Sequence, residues 1–320
     1  MNALSTLNRP FFVLAPMDDV TDSVFRRVVG HCAAPDLYFT EFVNVDGLQS
    51  PGRVNLMKKL QHAASERPLI AQIWGMNPDN YYKTAQELVA MGFAGIDINM
   101  GCPAKSEVKS GACSALMNNR ELAVEIIKAT QAGADGAIPV SVKTRLGWSE
   151  VDFSWHELLL QQNLNMLTIH GRTKRQMSKV PAQWDDIGKV RQLRDDMKLN
   201  TLIVGNGDVM NRQQGLELSE KYALDGIMIG RGMFHDPYLF AENSPWERKT
   251  TAERMELFKY HVDLFADTWQ EGQRPIHTLN KFCKVYIQGF DGAKDMRETF
   301  MNAGSAQELQ AHIQTAQASL

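Results

Sequence analysis

The stretch Gly95-Ile96-Asp97-Ile98-Asn99-Met100-Gly101-Cys102-Pro103 runs from apolar, β-branched residues into a tight Gly-Cys-Pro turn. A short apolar run bounded by turn residues is the pattern of a strand buried on both faces, as in a parallel sheet. It predicts a strand over residues 95–98 that delivers Asn99 and Cys102 at its C-terminal end. Seven further runs of the same kind flank it, at residues 12–15, 37–40, 69–73, 140–143, 166–169, 202–204 and 226–229. Most segments between them carry helical spacing, such as Tyr81, Ala85, Leu88 and Val89 behind an Asn77-Pro78 start, or Leu122, Val124 and Ile127 behind Asn119. Strands alternating with helices pair in parallel. Eight such units in about 230 residues match a closed α/β fold, the (β/α)8 TIM barrel. The glycine-rich dinucleotide fingerprint of an open sheet is missing after the first strand.

Beyond Asp236-Pro237 the strand signal stops. Pro245-Trp246 punctuates the chain, and Met255, Phe258, Val262, Phe265, Phe282, Val285 and Tyr286 then follow at helical spacing. The expected organisation is a barrel domain over residues 1–243 and a small C-terminal all-helical domain over 244–320.

The chain has 320 residues, 44% of them hydrophobic and 22% charged, which is enough apolar material for a large core. Met1 to Pro10 lack the layout of a signal peptide, and no apolar run approaches the roughly 18 to 20 residues of a membrane span. A cytoplasmic protein with no membrane partner is expected. Cys32, Cys102, Cys113 and Cys283 form no C-x-x-C pair, so neither a metal site nor a disulfide framework is expected. The net charge of −3 gives no global attraction for nucleic acid, so any RNA contact depends on local clusters of cations. Oligomeric state leaves no signature, and a monomer is the default.

Barrel chemistry sits where the strands end. In order, the ends carry Pro16-Met17-Asp18, Glu41, Gln72, Asn99 with Gly101-Cys102-Pro103, Lys143 with Arg145, His170 with Arg172, Asn206-Gly207-Asp208, and Gly230-Arg231-Gly232. Polar or special residues at every end point to one large site. Gly205-Asn206-Gly207-Asp208 and Gly230-Arg231-Gly232 follow the last two strands, the usual barrel phosphate site, and supply small residues plus a guanidinium.

Lys143 alternates with Val142 and so points into the barrel mouth. A lysine there either places positive charge beside a flavin ring or forms an imine, as in a Schiff-base aldolase, and spacing does not separate the two. Gln72 suits the donor and acceptor edge of a flavin. Cys102, set between Gly101 and Pro103, is presented to the mouth. With an ordinary pKa of about 8.5 its thiol is mostly protonated at neutral pH and can act as a general acid. Cys32 and Cys283 read as buried small hydrophobes, while Cys113 in Gly111-Ala112-Cys113-Ser114 is open to either reading. Arg172, Lys174, Arg175 and Lys179 gather four cations beside His170, a cluster suited to an RNA backbone.

The chain resembles the tRNA-dihydrouridine synthases over nearly its full length. The matching segments are Ala15-Pro16-Met17-Asp18, Thr40-Glu41-Phe42, Gln72-Ile73-Trp74-Gly75, Asp97-Ile98-Asn99-Met100-Gly101-Cys102-Pro103, Val142-Lys143-Thr144-Arg145, Ile169-His170-Gly171-Arg172-Thr173, Gly205-Asn206-Gly207-Asp208 and Ile229-Gly230-Arg231-Gly232. The helical tail, with Tyr286-Ile287-Gln288-Gly289-Phe290 and Arg297, also looks like the family's RNA-binding domain. The resemblance implies a tightly bound FMN reduced by NADPH, hydride transfer to C6 of a flipped-out uracil in tRNA, and protonation of C5 by Cys102. It implies that Pro16, Met17, Gln72, Lys143 and His170 surround the flavin ring. Asn206, Gly207, Asp208, Gly230 and Arg231 would hold the ribityl chain and phosphate. Asn99, Arg145, Arg172 and Lys174 would lie on the substrate side. A flavoenzyme acting on a free pyrimidine and a non-catalytic RNA-binding protein are the other readings of the same scaffold. The tail from Trp246 to Leu320 holds nine Lys or Arg against ten Asp or Glu, and its one basic patch is Arg274 to Arg297, with five cations against two acids.

Overall fold

The computed structural model describes residues 3–269 and 272–318. Nine strands form one parallel sheet: β1 (Phe11–Leu14), β2 (Tyr38–Phe39), β3 (Val43–Asn44), β4 (Leu69–Trp74), β5 (Gly95–Met100), β6 (Val140–Arg145), β7 (Met166–His170), β8 (Leu202–Asn206) and β9 (Gly226–Ile229). Their order is β1-β9-β8-β7-β6-β5-β4-β2, with β3 also on β4. A bridge between Val13 and Leu37 brings the two ends of that order together, with Leu14 N–H donating to the Leu37 carbonyl at 3.0 Å. The eight expected strands therefore form a barrel. The second, expected over 37–40, is β2, and the unexpected β3 follows it along the same neighbour β4 as a second short piece. Between the two pieces, the Thr40 hydroxyl accepts the Gln72 N–H at 3.0 Å, so a side chain replaces one bond of the backbone ladder.

The helices begin where capping chemistry places them. Asn77 caps Pro78–Ala90 and Asn119 caps Arg120–Ala134, each by a side-chain oxygen accepting a backbone N–H from the first turn. These two helices pack closely because Gly133 has no side chain: a Cβ there would sit 2.3 Å from the Tyr82 carbonyl oxygen.

The chain divides into two compact units. The first holds the segments up to Ser23 and Pro35–Gly230, and the second holds Val24–Ala34 and the chain from Arg231 onward. In the second unit, helix Thr251–Thr268 starts in a capping box made by Thr250 and Glu253 and is followed by Asn280–Tyr286, Ala293–Met301 and Ala306–Gln317. Its core is aromatic: Phe25 stacks on Phe282 at 4.9 Å, and Phe258 on Tyr286 at 5.1 Å. The helix Ser23–Ala33, between β1 and β2 in sequence, thus gives most of its residues to the helical unit. Among the described residues, no helix is long and apolar enough to cross a membrane.

Candidate active site

Strand alternation divides the barrel interior lengthwise. Phe11, Val13, Leu37, Phe39, Ile70, Met166, Leu202, Val204 and Met228 form one packed apolar cluster. The same alternation turns Gln72, Asp97, Asn99, Ser141, Lys143 and Thr168 inward on β4 to β7. These residues are neighbours in register: Gln72 with Asp97, Asp97 with Ser141, Asn99 with Lys143, and Lys143 with Thr168.

The polar wall is a connected network. Asp97 is fully buried, and its carboxylate accepts from Ser141 Oγ at 2.6 Å and from Gln72 Nε2 at 2.7 Å. Gln72 Oε1 accepts from Asn99 Nδ2 at 3.1 Å. Asn99 Oδ1 then accepts the N–H groups of Gly101 at 3.0 Å and Cys102 at 2.9 Å. Burial raises the Asp97 carboxyl to about 6, against the hydrogen bonds from Ser141 and Gln72 and the charge of Lys143. Burial, reinforced by the Arg145 charge, pushes the Lys143 ammonium down to about 8.

Cys102 is half-buried in the loop after β5. The buried Cys113 thiol donates to its sulfur and is the main reason its pKa falls to about 7; burial opposes the shift, and the Ala104 N–H and Arg145 assist it. Arg145 braces the same loop, donating from Nε to the Gly101 carbonyl at 2.8 Å and from Nη1 to the carbonyls of Met177 at 3.1 Å and Thr173 at 3.3 Å. A guanidinium is suited to spanning several acceptors. Arg145 is buried and joins the loop after β5 to the loop after β7.

After β7, the buried Arg172 donates to the Val180 carbonyl and to the Asp208 carboxylate, and its Nη1 lies 3.3 Å from His170 Nε2. Arginine only donates, so Nε2 accepts and the ring proton sits on Nδ1. Asp208 Oδ2 also accepts the Ala182 N–H at 2.9 Å. Gly207 has φ +133, and a Cβ there would meet Ala182 Cβ at 2.8 Å and His170 Cδ2 at 3.3 Å. Asn206 donates to the Met228 carbonyl at 2.8 Å. Gly230 faces Met17: a Cβ on it would lie 3.3 Å from Met17 Sδ. Pro16 and Met17 are half-buried. Lys174 stacks its ammonium over the Trp148 ring at 4.3 Å, while Arg175 and Lys179 are exposed. Arg231 is exposed and opens the second unit.

The structure thus joins Gln72, Asn99, Cys102, Lys143 and Arg145 on one wall, and His170, Arg172 and Asp208 in a second group. Arg145 and Arg172, expected on the substrate side, are engaged with carbonyls and carboxylates of the chain itself. In the basic patch of the second unit, Arg274 is buried and Arg297 donates to the Ile287 carbonyl at 2.8 Å, while Lys281, Lys284 and Lys294 are exposed. Asp97, Ser141, Thr168 and Cys113 were not singled out as site residues by sequence. For the first three the available signal was period-two alternation, a polar residue between apolar neighbours inside a strand. Asp18, Asp19 and Glu41 bring their carboxylates within 4.8 Å of one another, with Asp18 paired to Lys59 and Glu41 accepting the Asp19 N–H at 2.7 Å.

A family model described as dihydrouridine synthase matches residues 13–320. "Probable tRNA-dihydrouridine synthase" of Staphylococcus aureus (strain COL) is 44% identical over 313 residues, covering 97% of this chain and 94% of that protein. "Probable tRNA-dihydrouridine synthase 2" of Bacillus subtilis (strain 168) is 44% identical over 309 residues, covering 95% and 93%. Among solved structures, morphinone reductase superposes with TM-score 0.53 and 11% identity, covering 75% of this chain and 86% of that chain. Histamine dehydrogenase from Rhizobium sp. 4-9 superposes with TM-score 0.54 and 11% identity, covering 82% and 51%. At that identity the likeness to the solved structures is one of fold.

Proposed function

Since the chain belongs to the dihydrouridine synthase family and is an oxidoreductase, we propose that it reduces the C5–C6 double bond of a uridine in tRNA to 5,6-dihydrouridine, with Cys102 as proton donor. The observation that carries this reading is the placement of Cys102: its backbone is held by Asn99, and its sulfur by Cys113 and Ala104, at the end of the polar wall that contains Lys143. A thiol near pKa 7 is matched to general acid work at neutral pH. Cys102 gives its proton to C5, and the thiolate left behind is stabilised by the Cys113 S–H and the Ala104 N–H. An amide nitrogen carries two hydrogens and Gln72 takes one from Asn99, so the second would donate to a uracil carbonyl.

The residues fit a flavin. Thr168 Oγ1 is buried on the inner wall without a hydrogen-bond partner, in register with Lys143. Gly207 and Gly230 leave room beside His170 and Met17 that a Cβ would fill. FMN would be held by Pro16, Met17, Gln72, Lys143 and His170 around its ring, and by Asn206, Gly207, Asp208 and Gly230, with Arg231, around its ribityl chain and phosphate. The Asp208 carboxylate is engaged by Arg172, so Asp208 would serve through its backbone. FMN, once bound there and reduced by NADPH, would supply a hydride for C6. Lys143, with a pKa of about 8, remains mostly protonated at neutral pH and would place positive charge beside the ring.

Residues 1–243 would hold the cofactor and the reacting base, and residues 244–320 would contact the RNA together with Arg175 and Lys179. Flipping the uridine out costs about a few kcal/mol of unstacking. We place the protein in the cytoplasm as a monomer. Purified protein should be yellow, bleach with NADPH under anaerobic conditions, and form dihydrouridine in bulk tRNA from a strain lacking it. Activity on free uracil alone would exclude RNA as substrate. Cys102→Ala should abolish product while sparing FMN and tRNA binding; product formed by that variant at the parent rate refutes the role of Cys102.

A further inference from the structure

Deeper in the barrel than Cys102, the buried Asp97 carboxylate starts a chain of hydrogen bonds that runs in one direction. Gln72 Nε2 donates to it at 2.7 Å, Asn99 Nδ2 donates to Gln72 Oε1 at 3.1 Å, and Asn99 Oδ1 receives the N–H groups of Gly101 and Cys102 at 3.0 and 2.9 Å. A side-chain amide fits its space almost equally well with oxygen and nitrogen exchanged, so its orientation is decided by its partners. Here both ends are fixed. A carboxylate only accepts and a backbone N–H only donates, and one assignment of the two amides satisfies both.

We propose that Asp97 is a positioning residue, which anchors the Gln72 and Asn99 amides through this relay and so holds the backbone of Cys102 in place. The inference rests on the reading of Cys102 as proton donor. Without an acceptor at position 97, Gln72 Nε2 is left unsatisfied in a buried site, so Gln72 turns away or inverts and no longer accepts from Asn99 Nδ2. Asn99 is then held at one end only, by the Gly101 and Cys102 N–H groups, and is free to shift together with them. The fault that begins at Asp97 therefore emerges at Cys102.

The test is alkylation of Cys102 by iodoacetamide as a function of pH, read for its own peptide by mass spectrometry, together with dihydrouridine formation. Asp97→Ala is expected to raise the alkylation midpoint by about one pH unit or more and to slow product formation by about tenfold or more. The rise separates the relay from a plain charge effect, because removing a nearby negative charge would lower a thiol pKa. Asp97→Asn is expected to stay within about threefold of the parent in rate, with the parent midpoint. Its oxygen can accept from Gln72 while its NH2 faces Ser141 Oγ, which can accept. If Asp97→Ala does not fold, Gln72→Leu cuts the relay at its middle and is expected to give the same rise.

A folded Asp97→Ala or Gln72→Leu variant whose midpoint stays at the parent value overturns the proposal. So does an Asp97→Asn variant as impaired as Asp97→Ala. Failure of all three to fold assigns the network to folding and overturns it as well. The alkylation readout does not depend on the reaction. Product formation by Cys102→Ala would sink the proposed function and leave the relay standing.

Discussion

The Nε of Arg145 donates to the carbonyl oxygen of Gly101 at 2.8 Å, which ties a side chain at the end of β6 to the residue immediately before Cys102. Its Nη1 reaches the carbonyls of Met177 and Thr173 across the mouth. A lysine ammonium cannot span these three acceptors. Arg145→Lys is expected to fold and to slow dihydrouridine formation by roughly ten- to a hundredfold, about 1.4 to 2.8 kcal/mol. Nucleoside analysis of the reacted RNA by mass spectrometry measures it, and a rate within about twofold of the parent would remove Arg145 from the site.

Cys113 sits at φ +54 with its thiol buried against Cys102. Removing its S–H removes the main influence that lowers the Cys102 pKa. In Cys113→Ala, the pH midpoint of Cys102 alkylation should move from about 7 toward the ordinary value of about 8.5. A midpoint that does not move would show that Cys113 does not hold the sulfur.

Gly207→Ala should act on cofactor retention. At φ +133 an alanine is strained, by roughly 1 to 3 kcal/mol, and its Cβ presses on His170 and Ala182. The purified variant is expected to carry less flavin per chain, read from its visible absorbance, with near-parent secondary structure. Full flavin occupancy would mean that the space beside His170 is not the flavin's.

The eight barrel strands were legible because each is buried on both faces and reads as a near-continuous apolar run. The short β3 was not, since a two-residue strand carries no period. The helix caps at Asn77 and Asn119 were local, and so visible. That helix Ser23–Ala33 contributes to the helical unit depends on contacts such as Arg27 Nη1 with Thr268 Oγ1 at 3.2 Å, between residues distant in sequence. The charges of Arg145 and Arg172 were readable, but their partners are carbonyls and carboxylates brought in by other loops, and chain order does not display those. Asp97 carries no signal of its role in the sequence, because one acid inside an apolar strand looks the same whether it is paired or not.

His156 is fully buried, with ring nitrogens 2.9 Å from the Asp152 carbonyl and 3.2 Å from the Arg145 carbonyl, and burial pushes its pKa down to about 4. The unfolded chain protonates this ring below about 6.5, and the folded chain does so only near 4. Between those values the unfolded state holds the extra proton, so acid erodes stability by about 1.4 kcal/mol per pH unit through this ring. Asp97, raised to about 6, works in the opposite direction over the same range. Comparing slopes with and without His156 isolates the histidine. Urea unfolding at pH about 6.5, 5.5 and 4.5 should give His156→Gln a plot of stability against pH whose slope is less positive by about 1 kcal/mol per unit; equal slopes would refute the assignment.

The lengthwise division of the barrel interior sets how the two walls can change over generations. On the apolar wall, Val204 or Met228 answers mainly for the volume it fills, so swaps that conserve volume are the ones tolerated there. On the other wall, each amide or carboxylate must keep the donor or acceptor that its neighbour needs, so a lone exchange passes only where it preserves hydrogen-bond polarity. Ser141, Asp97, Gln72 and Asn99 therefore constrain one another by hydrogen-bond polarity, while the facing half of the same cylinder is constrained by volume.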